Sequence, residues 1–132
     1  VPSWINQFKA LTEIHLYDNL ISDLPTDLSE LKNLVNLNLR NNKFDSFPNC
    51  LALFHSLKFL NLSWNNITIL PAWIENLKNL EELNLWGNMI KTIPESIKNL
   101  TNIKRIYLNF NKITQMPKCL KELQEKGVSI TI

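Results

Sequence analysis

The sequence predicts an α/β fold, a right-handed solenoid with a parallel concave sheet and short 3₁₀, helical or extended convex segments. Three observations predict it. An asparagine returns every 23 residues, at Asn19, Asn42, Asn65, Asn88 and Asn111. Apolar residues return with it at fixed offsets on both sides. A proline (Pro25, Pro48, Pro71, Pro94 or Pro117) follows six positions after each asparagine. In all, nine positions agree through five copies. A unit this short cannot bury its own apolar face, so it must stack on its neighbours.

Each part of the unit has a physical task. With the asparagine counted as zero, position −8 reads Leu11, Leu34, Leu57, Leu80, Ile103; position −5 reads Ile14, Leu37, Leu60, Leu83, Ile106; and position −3 is leucine throughout. Side chains two apart share one face of a strand, so this run specifies a short strand with its leucines turned inward. Successive coils then place these strands side by side in a parallel sheet. The asparagine stands where the chain leaves the strand. Its amide can donate to and accept from backbone groups inside a buried bend, which neither leucine nor aspartate can do in full. Proline at +6 fixes φ and removes an N–H, favouring a bend into the return segment. Segments such as Pro71–Leu77 and Pro94–Leu100 then space apolar residues three apart, which suits one helical or 3₁₀ turn on the convex side.

Written out, the repeat is L-x-x-L-x-L-x-x-N-x-[IF]-x-x-[LFIM]-P-x-x-[LI]-x-x-[LF]. It resembles the leucine-rich repeat family, in its 23-residue, proline-containing form. In that form it is similar to Ras-group-like repeats and to small bacterial proteins of the Leptospira kind. The resemblance covers nearly the whole chain. It implies that Asn19, Asn42, Asn65, Asn88 and Asn111 form an asparagine ladder, that the concave face binds a protein ligand, and that no residue is catalytic. A targeting domain of a larger effector or signalling protein fits the same resemblance. So do a secreted or cell-surface bacterial protein and a cytoplasmic one.

At 132 residues the expectation is a single domain, 1–132, with five asparagine-centred repeats, a partial first coil and a terminal strand near 128–132. Val1 and Pro2 fall on the +5 and +6 phase, so the chain begins inside a repeat. That favours a missing upstream segment; the alternative is that Trp4 and Phe8 themselves shield the first coil. At the other end Val128, Ile130 and Ile132 alternate one residue out of phase, and Gly127 is suited to absorb the extra residue. Lys121–Lys126 is charged enough for a slightly longer helix. A terminal edge strand leaves weak self-association through an open solenoid end as a further expectation.

Cys50 and Cys119 share position +8 three repeats apart. At roughly 5 Å per coil they lie about 15 Å apart, beyond disulfide reach. Free thiols weakly favour a reducing compartment or a bacterial protein that needs no disulfide. No apolar run is long enough for a membrane span. His15 and His55 lie at different phases without metal-ligand spacing, and Cys50 and His55 sit on different parts of the coil. Neither a phosphate-binding glycine loop nor any set of residues calling for a cofactor or metal is present. The reading is therefore not an enzyme. The 14 basic and 12 acidic side chains leave a formal charge of +2, and Glu75, Glu95 and Glu122 interrupt Lys78, Lys98 and Lys121, which argues against a nucleic-acid groove.

The outward strand positions −6, −4 and −2, with −1 at the strand's edge, vary while the core columns hold. They bring Trp64, Trp86, Tyr107 and Phe110 onto neighbouring strands, with Tyr17 and Arg40 extending the patch and Arg105 beside it. Large aromatics among Asn and Arg suit a protein-binding hot spot, with Trp86 and Tyr107 as its anchors and Arg40 and Arg105 facing acidic groups. Trp64 and Phe110 have a second reading, as packing over the asparagine turn. Glycan recognition is the alternative, since the same residue types suit sugars. Trp73, on the return side, reads as convex-surface packing.

Overall fold

The computed structural model describes residues 1–132, the side chain of Ser3 excepted. Six three-residue strands form one parallel sheet in chain order: β1 (Glu13–His15), β2 (Asn36–Asn38), β3 (Phe59–Asn61), β4 (Glu82–Asn84), β5 (Arg105–Tyr107) and β6 (Ser129–Thr131). The −5 column is in register across the sheet, Ile14 against Leu37, Leu37 against Leu60, Leu60 against Leu83 and Leu83 against Ile106. The solenoid expected from the repeat is the fold observed.

Backbone pairing runs past the strands. The −3 N–H of each coil donates to the −4 carbonyl of the next, as from Leu39 to Asn61 and from Leu62 to Asn84, both at 2.8 Å. Each +1 N–H donates back to the +2 carbonyl of the preceding coil, as from Asn66 to Phe44 at 2.8 Å. The prolines act as foreseen. Pro25, Pro48, Pro71 and Pro94 each precede a 3₁₀ turn, and each accepts at its carbonyl the N–H three residues on, at 3.0–3.1 Å. These turns carry Leu28, Leu51, Ile74 and Ile97 into the core, all fully buried. Trp73 packs on the convex side, its ring 6.0 Å from that of Phe47 in an edge-to-face pair.

The return side also holds a polar column that the repeat reading did not single out. At position +14, Asn33, Ser56, Asn79 and Asn102 each donate to a carbonyl of the preceding coil, those of Lys9, Lys32, His55 and Lys78. A coil is thus tied to its neighbour at both corners.

The last coil departs from the period as its sequence indicated. Ile106 pairs with Ile130, 24 residues on rather than 23. The return segment is an α-helix, α1 (Lys118–Glu125), and Gly127 follows at φ +91°. Its N–H bonds the Gln124 carbonyl at 2.9 Å while the Val128 N–H reaches back to Leu123 at 3.1 Å. These two bonds form a Schellman ending, which requires the left-handed backbone that glycine adopts without a Cβ clash. No helix among the described residues is long and apolar enough to cross a membrane.

Candidate functional site

The asparagine ladder fixes where the concave surface ends. The Asn65 Oδ1 accepts the Phe44 N–H of the preceding coil at 3.1 Å, and its Nδ2 reaches the carbonyls of Leu39, Leu62 and Ser63 at 3.0–3.2 Å. Asn42 and Asn88 repeat the pattern, and all three are at most 6% exposed. Asn111 also bridges two coils, accepting from Ile90 and donating to Leu85 and Leu108. Asn19 differs. It is exposed, and its amide donates only to the Leu16 and Tyr17 carbonyls of its own coil. The bonds from Asn42, Asn65, Asn88 and Asn111 that link coil to coil use the −3 carbonyl and the +2 N–H of the preceding coil.

Just before each of these asparagines the backbone turns left-handed. Asp18, Asn41, Trp64, Gly87 and Phe110 have φ of 57°, 51°, 55°, 67° and 58°. Glycine adopts this conformation freely, and Asn or Asp tolerates it through local hydrogen bonds. A bulky side chain there costs of order 1–2 kcal/mol. Trp64 and Phe110 therefore occupy positions that favour Gly or Asn on backbone grounds.

Those two rings meet across Trp86. The Trp64 and Trp86 ring centroids are 5.0 Å apart at 75°, and those of Trp86 and Phe110 are 5.4 Å apart at 74°. Trp86 is half-buried between the others, while Trp64 is 45% and Phe110 75% exposed. Gly87 lets the Trp64 ring lie close over the backbone: a Cβ there would meet that ring at 3.1 Å, and the ring would have to shift slightly. Part of Trp64 is thus packing over the next coil, in line with its second reading, whereas Phe110 stands largely clear.

The other expected contact residues spread over the sheet. Tyr107 lies at −4 on β5, opposite Asn84, and forms no aromatic pair with the Trp86 cluster. Tyr17 is exposed on the first coil, two strands from Trp64. Arg40 is exposed and forms no ion pair among the described residues. Arg105 is engaged within the protein, its Nε 2.7 Å from Glu82, and that carboxylate holds the guanidinium pKa above its ordinary value. One position behind, Glu81 bonds Lys104 at 2.6 Å and Lys58 at 3.3 Å, and these partners lower its pKa.

Between these groups runs a second asparagine column, which sequence reading placed only as outward-facing. The Oδ1 atoms of Asn38, Asn61 and Asn84 accept the N–H two residues on, from Arg40, Ser63 and Trp86, at 3.0–3.1 Å. The signal for it was present: asparagine at the same phase in three consecutive repeats, each able to close an Asx turn.

Chemistry is sparse. No group of three His, Cys, Asp or Glu among the described residues is placed to hold a metal ion. Burial and the nearby charge of Asp23 push the Cys50 thiol up to about 11, so it stays protonated at neutral pH. His15 lies 3.2 Å from Glu13 in an exposed contact.

Comparison with known proteins agrees with this architecture. A sequence profile described as a leucine-rich repeat region matches residues 49–127, and a second, described as leucine rich repeat, matches residues 2–67. No curated protein sequence matches the chain. Among solved structures, a leucine-rich repeat protein from Leptospira interrogans is 35% identical with a TM-score of 0.90, over 98% of this chain and 33% of that one. An internalin from Listeria monocytogenes is 28% identical with a TM-score of 0.85, over 100% of this chain and 38% of that one. The ectodomain of a plant membrane receptor kinase from Arabidopsis thaliana, in complex with Casparian strip integrity factor 2, is 25% identical with a TM-score of 0.74, over 98% and 19%. The chain thus spans well under half the length of each of these proteins.

Proposed function

The chain belongs to the leucine-rich repeat family, and from that premise we propose that it is a non-catalytic scaffold that binds a protein partner through its concave face and the edge beside it. The carrying observation is the cluster of Trp64, Trp86 and Phe110, two of whose rings are held on left-handed backbone that favours smaller residues. Strain retained at an exposed aromatic cluster is the pattern expected where recognition, rather than stability, selects the side chain. Trp86 is the central anchor, Trp64 and Phe110 widen the contact, and Tyr107 supplies a separate apolar and hydroxyl contact one column away. Arg40 is the free cation for an acidic partner group, since Arg105 is already paired with Glu82. The solved plant receptor, which was captured with its factor, gives a related solenoid with a bound partner.

The experiment is affinity capture with the intact chain, followed by the double change Trp86→Ala/Tyr107→Ala. Loss of the captured protein with an unchanged thermal midpoint is the expected outcome. Undiminished capture would move the site to the convex face or an end of the solenoid, and selective retention of oligosaccharide would favour glycan recognition instead.

A further inference from the structure

The edge of the solenoid just beyond the asparagine ladder changes character along its length. Positions −1 to +5 form it, and in the first two coils these include Asp18, Asp23 and Asp45. In the next three coils, over 64–70, 87–93 and 110–116, no acidic residue occurs, and Lys91 and Lys112 are the charged groups. Both lysines are exposed, and among the described residues neither forms an ion pair.

The repeat sets these lysines over an apolar floor. Ile67 and Ile90 are fully buried at +2, so the +1 and +3 side chains on either side turn outward together. The coils are bonded here as well, Met89 N–H to the Ile67 carbonyl and Lys112 N–H to the Ile90 carbonyl, both at 2.9 Å. At +1, Met89 is therefore next to Lys112; at +3, Lys91 falls between Thr68 and Thr114. These five residues line a groove of about 560 Å³ that opens to solvent. Met89 is 42% exposed, and its flexible thioether adapts to varied apolar partners. Ile69, 66% exposed, continues the apolar surface on the third coil.

Charge and shape together select an occupant. Two unpaired cations beside an exposed apolar floor are complementary to a chain that carries carboxylates next to an apolar side chain. Three coils at about 4.8 Å spacing span about 9.6 Å, the length of about three extended residues. A drug-sized molecule needs walls that cover most of it, which this open groove lacks. An anionic bilayer or a nucleic acid would lie along the whole edge and meet Asp18, Asp23 and Asp45 too. A short peptide touches the basic coils alone.

We propose that this edge docks a short acidic segment of a protein partner, its carboxylates set against Lys91 and Lys112 and an apolar side chain seated on Met89. The site lies outside the concave face, which ends at Trp64 and Phe110, so the two surfaces can be tested apart.

The test is selection from a phage-displayed library of random peptides on the immobilised intact chain, then titration of the enriched sequences as synthetic peptides. Peptides with Asp or Glu beside an apolar residue should be enriched. Lys91→Ala/Lys112→Ala should weaken them at least about tenfold at low salt and flatten the fall of affinity with added salt. Both lysines are exposed, so the thermal midpoint should not move. Trp86→Ala/Tyr107→Ala should leave the affinity of these peptides unchanged. No enrichment of acidic peptides, or equal affinity for wild type and the double lysine variant, overturns the proposal. Lysine-dependent co-sedimentation with phosphatidylserine vesicles, without acidic peptides being enriched, would assign the edge to a bilayer and also overturn it. If a captured partner protein is lost with Trp86→Ala/Tyr107→Ala while acidic peptides ignore the lysine change, the concave reading stands and this one fails.

Discussion

Asn61 and Asn65 are four residues apart and chemically identical, yet the coil assigns them different work. Asn65 is buried and satisfies one N–H and three carbonyls across two coils. Asn61 closes a local turn and leaves its Nδ2 open. Asn65→Ala should therefore cost about 1–3 kcal/mol of buried hydrogen bonding, and Asn61→Ala clearly less, read as the shift in denaturant midpoint. Equal shifts would contradict the assignment. Phe110 gives a second contrast. Phe110→Gly and Phe110→Ala remove the same ring, but only glycine accepts φ 58° without a Cβ clash. The glycine variant should be the more stable by about 1 kcal/mol, the reverse of the usual order of these residues in regular structure. Here the sequence was only half legible. The −1 column of Asp18, Asn41 and Gly87 shows residue types that tolerate left-handed backbone, which marks Trp64 and Phe110 as exceptions. The period alone said which residues face inward, but not the backbone angle between them.

The elements were more legible, because their cause is local. Strand, bend and 3₁₀ turn follow from apolar spacing and a proline, and the extra residue before β6 shows as a phase slip beside Gly127. What the sequence did not reveal is the side-chain pairing between coils away from the asparagine ladder, since contacts 23 or 24 residues apart depend on which side chains reach. The Asn33, Ser56, Asn79 and Asn102 column mixes two residue types with one task, and its regularity emerges only when the carbonyls are in place. The Glu81 bridge is of the same kind, joining three neighbouring coils through Lys104 and Lys58. Those two lysines lower its pKa below the ordinary 4.5. A carboxylate whose folded pKa is depressed contributes stability above its unfolded value, and that contribution is lost as pH falls through the folded value. Glu81→Gln should therefore flatten the acid-side decline in stability that begins below about pH 4.5. Identical urea midpoints against pH for both proteins would show that the bridge is not coupled to folding.

Across the whole molecule, burial depends on having a coil on each side. The interior leucines of the −3 column, Leu39, Leu62, Leu85 and Leu108, are essentially buried, whereas Leu16 is only half-buried. The sequence writes leucine at all five and distinguishes none of them, because a periodic pattern records the average environment of a column. The two thiols show the same dependence on packing. Cys50 and Cys119 are free and buried, with burial raising the pKa of both. Alkylation of the native chain should be slow at pH 8 and should yield two modified thiols per chain once it is unfolded. Rapid native labelling would mean that the coils open locally.

Stacking gives the sharper test, because in a one-dimensional array each repeat is stabilised chiefly by its neighbours. Leu62 is enclosed by the coils of Leu39 and Leu85, so Leu62→Ala leaves a cavity that its neighbours fill only in part and should cost about 2–5 kcal/mol. Leu16→Ala removes the same atoms from a half-exposed site where water already reaches part of the surface, and it should cost less than half as much. Hydrogen exchange should follow the same gradient. The Leu62 amide, bonded to Asn84, should open only with the whole array, and the Leu16 amide, bonded to Asn38, should open at lower free energy despite an equally short bond of 2.8 Å. Equal destabilisation by the two alanines would require the first coil to be as well enclosed as the middle ones, and stability would then not accumulate from neighbour to neighbour along the solenoid.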